Sequence, residues 1–494
     1  MAVTPRGGRP DRPEATRRAH RPPNILLITA DQMRADCLSA AGHPVVRTPH
    51  LDALAARGVH FEHAITPYPV CVPARLSILS GQYPHTHGVM DNRGMIPMAQ
   101  ANIARTLRDA GYRTAALGKM HFWPPYAQVG FETMQLAEQD GQGFKIDDYH
   151  SVYLAERGLI DQWDYWDQHK PYRAQAPAEY WQTFGARASE LGEEHYHTGW
   201  IADRSIDYVN RDDARPFFIW TSFIKPHHPF DPPAPWDALY DPAVIPPAAP
   251  QTEALAKPLL TNGAQRDPRK GYFDMSDLTP EQYRRVAAHY YGSISHIDHH
   301  VGRIVQALAA RGELERTLII FTSDHGDYMG DYGLILKSPS VPYGSLAHVP
   351  MIVAGPGVAG GRTSSALVSL IDLFPTAAAA AGASVPASVH GRDLGGVLRG
   401  EVADAALRDA VFSETREVKA VRTQRYAYLY NHRRRLEELY DLAEDPGEKV
   451  DRAGDPALAG VVRQLREHLL HWLLETEWGD RNAARGTFSE LRLP

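Results

Sequence analysis

A chain of 494 residues that uses cysteine only twice places one of them in Cys71-Val72-Pro73-Ala74-Arg75, directly before the apolar run Leu76-Ser77-Ile78-Leu79-Ser80-Gly81. A lone free cysteine is most often a small buried hydrophobe. At a helix start and beside an arginine, the same side chain meets unpaired backbone N–H groups and a positive charge, which favour developing negative charge on a nucleophile. Chemistry is expected at Cys71.

Short apolar runs rich in β-branched residues alternate with helical patterns over the first four fifths of the chain. Asn24–Ala30, Arg113–Gly118, Phe217–Phe223, Leu318–Ser323 and Met351–Ala354 read as buried strands, and Ala101–Ala110 and Glu281–Ala310 as helices. In the second helix Tyr290, Ile294, Ile297, Val301, Ile304 and Leu308 fall on one face. The fold class is α/β, a large mixed, mostly parallel sheet flanked by helices. Past Gly400 come short strands at Val411–Thr415, Lys419–Tyr430 and Glu438–Leu442, then a helix over Ala457–Leu474, which reads as a smaller α+β subdomain with an antiparallel sheet. The expected boundaries are a tail at 1–22, a catalytic domain at 23–400 and a C-terminal subdomain at 401–494.

In open α/β sheets, ligands bind beyond the carboxyl ends of the strands. Two predicted strands end in ligand-type pairs, Asp31-Gln32 and Asp324-His325, the second followed by Gly326-Asp327. One Asp at a strand end is usually a cap or turn residue. Two such pairs point to a hard divalent cation such as calcium, and the histidine nitrogen also admits manganese. Gly118-Lys119-Met120-His121 follows a third strand end and supplies a compact cation and a proton-transfer group. His296, His299 and His300 have helical metal-ligand spacing, but their apolar neighbours lie along a packed helix, so they read as structural or surface residues rather than a zinc site.

The ordered string Cys-x-Pro-x-Arg followed by Leu-Ser-Gly resembles the signature of the type I sulfatases of the alkaline phosphatase superfamily, with Ala74 where a serine is common. The resemblance implies that a separate formylglycine-generating enzyme oxidises Cys71 to formylglycine. It also implies that the hydrated aldehyde attacks the sulfur of a sulfate monoester while Arg75 holds its loop. Gly118–His121 looks like the family's Gly-Lys-x-His, and Pro226-His227-His228-Pro229 like its Pro-His-x-Pro, with His227 as the further histidine and His228 as the register alternative. By the same resemblance Lys119 and Lys337 bind sulfate oxygens, His227 protonates the leaving oxygen and His121 takes the proton that frees sulfate. Asn92 is a substrate or nucleophile contact or a turn residue. The implied metal ligands are Asp31, Gln32, Asp324, His325 and the modified Cys71, with Ca2+ expected and Mn2+ or Mg2+ as alternatives. Sulfatases often carry Asp-Asp and Asp-Asn at these pairs, and the departure here is similar to choline-sulfatase-like and phosphonate monoester hydrolase-like members.

The implied activity is arylsulfatase-like hydrolysis of a small sulfate ester. A phosphonate monoester or phosphodiester hydrolase is the alternative of the same class, and a non-catalytic binding protein with unmodified Cys71 that of another. Members of the phosphonate type tend to lack the Lys and His that this chain keeps. A formal charge of -7 argues against nucleic-acid binding, and no run is long enough for a membrane span. Two cysteines make no disulfide framework, and Met1–Pro23 lacks an apolar signal core although Arg17-Arg18 is similar to a twin-arginine signal, so the expectation is a cytoplasmic protein. The aromatic-rich 147–200 and proline-rich 226–258 segments read as excursions over the sheet edge, equally open to substrate contact and to packing. The end, Leu491-Arg492-Leu493-Pro494, could dock on a second subunit of a homo-oligomer.

Overall fold

The computed structural model describes residues 21–97, 100–138, 148–168, 174–261, 267–270 and 272–485. The tail through residue 20, with Arg17-Arg18, and the end Leu491 to Pro494 lie outside them.

Near-continuous runs of Ile, Leu and Phe need a sheet covered on both faces, and three such runs form its centre. The strands are β1 (Asn24–Asp31), β2 (Gly58–Ile65), β3 (Arg113–Gly118), β4 (Thr133–Leu136), β5 (Phe217–Pro226), β6 (Thr317–Ser323), β7 (Met351–Ala354) and β8 (Arg362–Ser369), in the order β4-β3-β5-β1-β6-β7-β2-β8. The run from β4 to β6 is parallel, β7 is antiparallel to both neighbours, and β2 pairs β8 in parallel. β1, β5 and β6 are buried along their whole length.

Alternation along β1 assigns the two layers, because successive side chains of a strand point to opposite faces. Leu26 and Ile28 join one core, with Leu51 and Leu54 of α1 (Pro49–Arg57). Ile25 and Leu27 join the other, with Leu76 and Ile78 of α2 (Cys71–Ser80) and Leu107 of α3 (Ile103–Asp109). The first layer also takes Ile201 of α4 (His197–Val209) and the periodic face of α5 (Pro280–Ala310) from Tyr290 to Leu308. α5 begins at a capping box, Thr279 with Gln282, and carries Pro280 where a missing N–H costs nothing. α6 (Leu373–Ala380) completes the second layer.

β9 (Val411–Glu414), β10 (Val418–Arg422), β11 (Tyr426–Asn431) and β12 (Leu436–Asp441) form an antiparallel sheet against α7 (Ala459–Arg485), whose Leu465 and Leu469 pack on Val421 and Tyr428. The single strand expected over Lys419–Tyr430 is two strands that turn at Thr423–Arg425. α7 runs well past Leu474. Among the described residues no helix is long and apolar enough to cross a membrane. Of the aromatic-rich segment, Trp163, Tyr180, Phe184 and Trp200 belong to the core, so packing accounts for them.

β3 ends at a glycine for a steric reason. Gly118 has φ +93°, and a Cβ there would lie 2.1 Å from the Ser222 carbonyl oxygen on β5. Gly118→Ala combines left-handed strain with a backbone clash and is expected to cost about 2–3 kcal/mol. Urea denaturation reads this as a lowered midpoint at unchanged slope, and an unchanged midpoint would mean that β3 and β5 separate freely.

Candidate active site

Strand order alone brings the chemistry together. β3, β5, β1 and β6 are consecutive parallel neighbours, so their carboxyl ends stand in a row at spacings of about 4.8 Å. That row carries Lys119 after β3, His227 after β5, Asp31 at the end of β1 and Asp324-His325 after β6. α2 enters from beyond β2 with all ten residues buried. Cys71 and Arg75 are one turn apart on it and therefore share a face. Pro73 lies in the first turn, where its absent N–H has no intrahelical acceptor to lose. The helix start has no side-chain cap of its own, and the Asn92 carboxamide oxygen accepts the Val72 N–H at 3.0 Å. That contact makes Asn92 a brace for the Cys71 turn.

Arg75 organises the carboxylates. Its Nη2 donates to Asp31 Oδ2 at 3.0 Å and its Nε to Asp324 Oδ2 at 2.8 Å, while Nη1 donates to Ser222 Oγ and the Lys119 carbonyl. Lys119 Nζ also holds Asp31 Oδ2, at 2.8 Å. With the Oδ2 atoms engaged, the Oδ1 atoms of both aspartates face His325 Nε2, at 3.8 and 3.9 Å. His325 Nδ1 lies 2.8 Å from the Gly326 carbonyl and donates to it, which turns Nε2 toward the carboxylates, the orientation a metal ligand needs. Asp31, Cys71, Asp324 and His325 thus offer ligand atoms all within 4.8 Å of one another. Two carboxylates and an imidazole fit a divalent cation.

Gln32, next to Asp31 in the chain, adjoins this group. Its amide oxygen accepts from Lys337 Nζ at 2.6 Å, its Nε2 donates to Asp327 Oδ2 at 2.5 Å, and its backbone N–H bonds Asp324 Oδ1 at 3.1 Å. Lys337 is thereby held toward the centre.

Cys71 Sγ lies 3.2 Å from His325 Nε2 and 3.7 Å from Asp31 Oδ1, and the side chains of His121 and His227 are close enough to bear on its charge. Burial alone would raise this thiol, yet Lys337, His325 and Lys119 outweigh burial and hold it well below the ordinary cysteine range. Negative charge at position 71 is therefore favoured. Burial raises Asp324, and the Asp31 carboxylate raises it further.

The two histidine motifs resolve by geometry. His227 reaches Cys71, and its Nδ1 donates to the His228 carbonyl at 2.6 Å. Burial, then Lys337 and Lys119, push His227 down to about 3. His228 stacks on the His227 ring, with its Nε2 3.5 Å from Asp167 and its other side against Tyr272. His121 has φ 56°, a left-handed conformation held because the Glu138 carboxylate accepts the Met120 and His121 N–H groups at 3.0 Å.

Sequence reading missed Ser222, Glu138 and the buried Lys225–Asp231 pair at 2.6 Å, whose Nζ also holds the Pro229 carbonyl. A lysine and an aspartate flanking Pro226–Pro229 were a readable signal. Glu138 had none, because nothing local ties it to His121.

A family model described as Sulfatase matches residues 23–383, and one described as N-sulphoglucosamine sulphohydrolase, C-terminal, matches 335–474. The chain is 32% identical to an arylsulfatase of Clostridium perfringens, over 92% of this chain and 95% of that one. It is 30% identical to a choline-sulfatase of Rhizobium meliloti, over 92% and 87%. Its structure is similar to that of a phosphonate monoester hydrolase of Agrobacterium radiobacter, with TM-score 0.77, 29% identity and coverage of 92% and 96%.

Removing the guanidinium leaves two buried carboxylates facing each other, so Arg75→Met is expected to lose about 3–5 kcal/mol of folding stability. Arg75→Lys should recover little, since a single ammonium cannot span both aspartates. Denaturation midpoints of the two variants measure this, and a stable Arg75→Met protein would show that the aspartates do not depend on Arg75.

Proposed function

Because the chain belongs to the sulfatase family it is a sulfuric ester hydrolase, and we propose that it works through formylglycine made from Cys71 together with a divalent cation. The observation that carries this reading is the convergence of Asp31, His325, His121 and His227 on Cys71 Sγ, with Lys119 and Lys337 lending positive charge. When present, the modified residue supplies a hydroxyl nucleophile in place of a thiol and the cation supplies Lewis-acid polarisation. Asp31, Asp324 and His325 would hold the cation, with Gln32 contributing its amide oxygen. Oxygen-rich ligands favour Ca2+, and Mn2+ or Mg2+ suit the same set.

The remaining roles follow from the side chains. Lys119 and Lys337 neutralise the sulfuryl oxygens, where charge stabilisation contributes most. His227, fixed by the His228 carbonyl, protonates the leaving oxygen. The ester's negative charge offsets the two ammonium groups that depress His227, so binding itself makes it a better proton carrier. His121 withdraws the proton that lets sulfate depart. Arg75 touches no reacting atom and acts as a positioning residue. A formylglycine-generating enzyme is the maturation partner this reading needs.

Similarity to the phosphonate monoester hydrolase favours a second reading, cleavage of a phosphonate or phosphodiester at the same centre. Lys119 and His121, both turned into the centre, favour sulfate.

Four measurements test the proposal. Mass spectrometry of the Cys71 peptide from the native host should find the aldehyde, and an intact thiol would remove the mechanism and favour a binding protein. An aryl sulfate should be hydrolysed with higher kcat/KM than a phenylphosphonate ester, and the reverse order would select the second reading. Cys71→Ala should lower kcat at least about 1,000-fold, as should exhaustive chelation, with recovery on adding Ca2+ or Mn2+.

A further inference from the structure

A second convergence of ligand-type side chains shares no residue with the Cys71 centre. His296 and His300 are four residues apart on α5 and face the same way, both almost fully buried. Their Nε2 atoms lie 3.0 Å apart, and Glu193 Oε1, from the loop before α4, lies 2.9 Å from each. Glu193 Oε2 accepts the Trp236 indole N–H at 3.1 Å and lies 2.9 Å from His296 Nε2. His299 is not part of the group, since it is exposed and its ring lies against Trp236.

We propose that Glu193, His296 and His300 bind a divalent first-row transition metal. Three donor atoms 2.9–3.0 Å apart suit one ion at about 2.1 Å from each, seen at angles near 90°. That is one face of an octahedron, and two imidazoles with one carboxylate are a donor set that such metals accept. Glu193 is 36% exposed, so water can complete the coordination. Without an ion the same atoms form a carboxylate clamp with two N–H groups crowded side by side.

One neighbour opposes the metal and makes the idea testable. Arg303 Nη1 approaches His300 Nδ1 at 3.1 Å, and a guanidinium can only donate there. Nε2 is a neutral ligand when Nδ1 carries the proton, so metal binding requires Arg303 to withdraw onto Asp203, its partner at 2.8 Å. The bound ion would tie the Glu193 loop to α5. Through Tyr196, whose ring lies against His296 and whose hydroxyl meets Asp231, it would also support the Lys225–Asp231 brace beneath His227.

The test uses Zn2+ as the probe, added to chelator-treated full-length protein in excess Ca2+ and counted by elemental analysis. Wild type should take up one more zinc than Glu193→Gln, and zinc-edge anomalous diffraction from soaked wild-type crystals should show a peak among the three side chains. Arg303→Gln, which offers an oxygen to Nδ1–H, should bind that ion about tenfold more tightly or better. Equal uptake by wild type and folded Glu193→Gln overturns the site. If that variant does not fold, a wild-type crystal without the anomalous peak overturns it equally.

Discussion

The centre depends on one guanidinium set between two carboxylates. Asp31 and Asp324 are fully buried and close enough that each opposes ionisation of the other. Arg75, equally buried, donates to both, and in doing so decides which oxygen of each is spent and which is left facing inward. The same fork reaches Ser222 on β5 and the Lys119 carbonyl after β3. A single side chain on α2 thereby fixes the ends of four strands relative to one another. A planar fork does this where a point charge would not.

Around that clamp the electrostatics are lopsided. Lys337, His325 and Lys119 surround a position where burial alone would forbid charge, and they make an anion there favourable. This is preorganisation: the cations are fixed by Asp31, Gln32 and the strand ends before any ester arrives, so they need not reorient during reaction. Two of the residues in this shell, Gln32 and His121, hold left-handed backbone conformations. Such strain persists where surrounding contacts over-determine it.

The central strands and α5 were legible because burial on both faces leaves long apolar runs, and amphipathic burial leaves a one-sided stripe. β2 and β8 were not. β2 interrupts its apolar residues with His60, Glu62 and His63, and β8 begins Arg362-Thr363-Ser364-Ser365 at the sheet edge, where polar side chains meet water. β4, four residues against β3, is too short to show a period. At the centre, residues at strand ends could be read from their types, since the chain direction of parallel strands sends them all to one side. Glu138 and Ser222 could not, because their work is to hold other side chains through contacts that no spacing along the chain reveals. The histidines of α5 could be read from their apolar neighbours as part of a packed helix, but Glu193 opposite them is about a hundred residues away in the chain and left no local signal.

The complete burial of α2 has a bearing on the order of events in the life of the chain. Cys71 and the nine residues after it are closed off from solvent. An external catalyst large enough to recognise Cys71 through Arg75 as a peptide segment has no route to it in the finished fold. The parallel strands that enclose it come from segments spread between Asn24 and Ser323, and such non-local sheets assemble slowly. A modifying enzyme would therefore have to reach the segment before β6 joins β1. Under the proposed conversion of Cys71 to formylglycine, maturation would be a race between the modifying catalyst and the closure of the sheet, and a variant that folds faster would leave a larger share of its molecules inert.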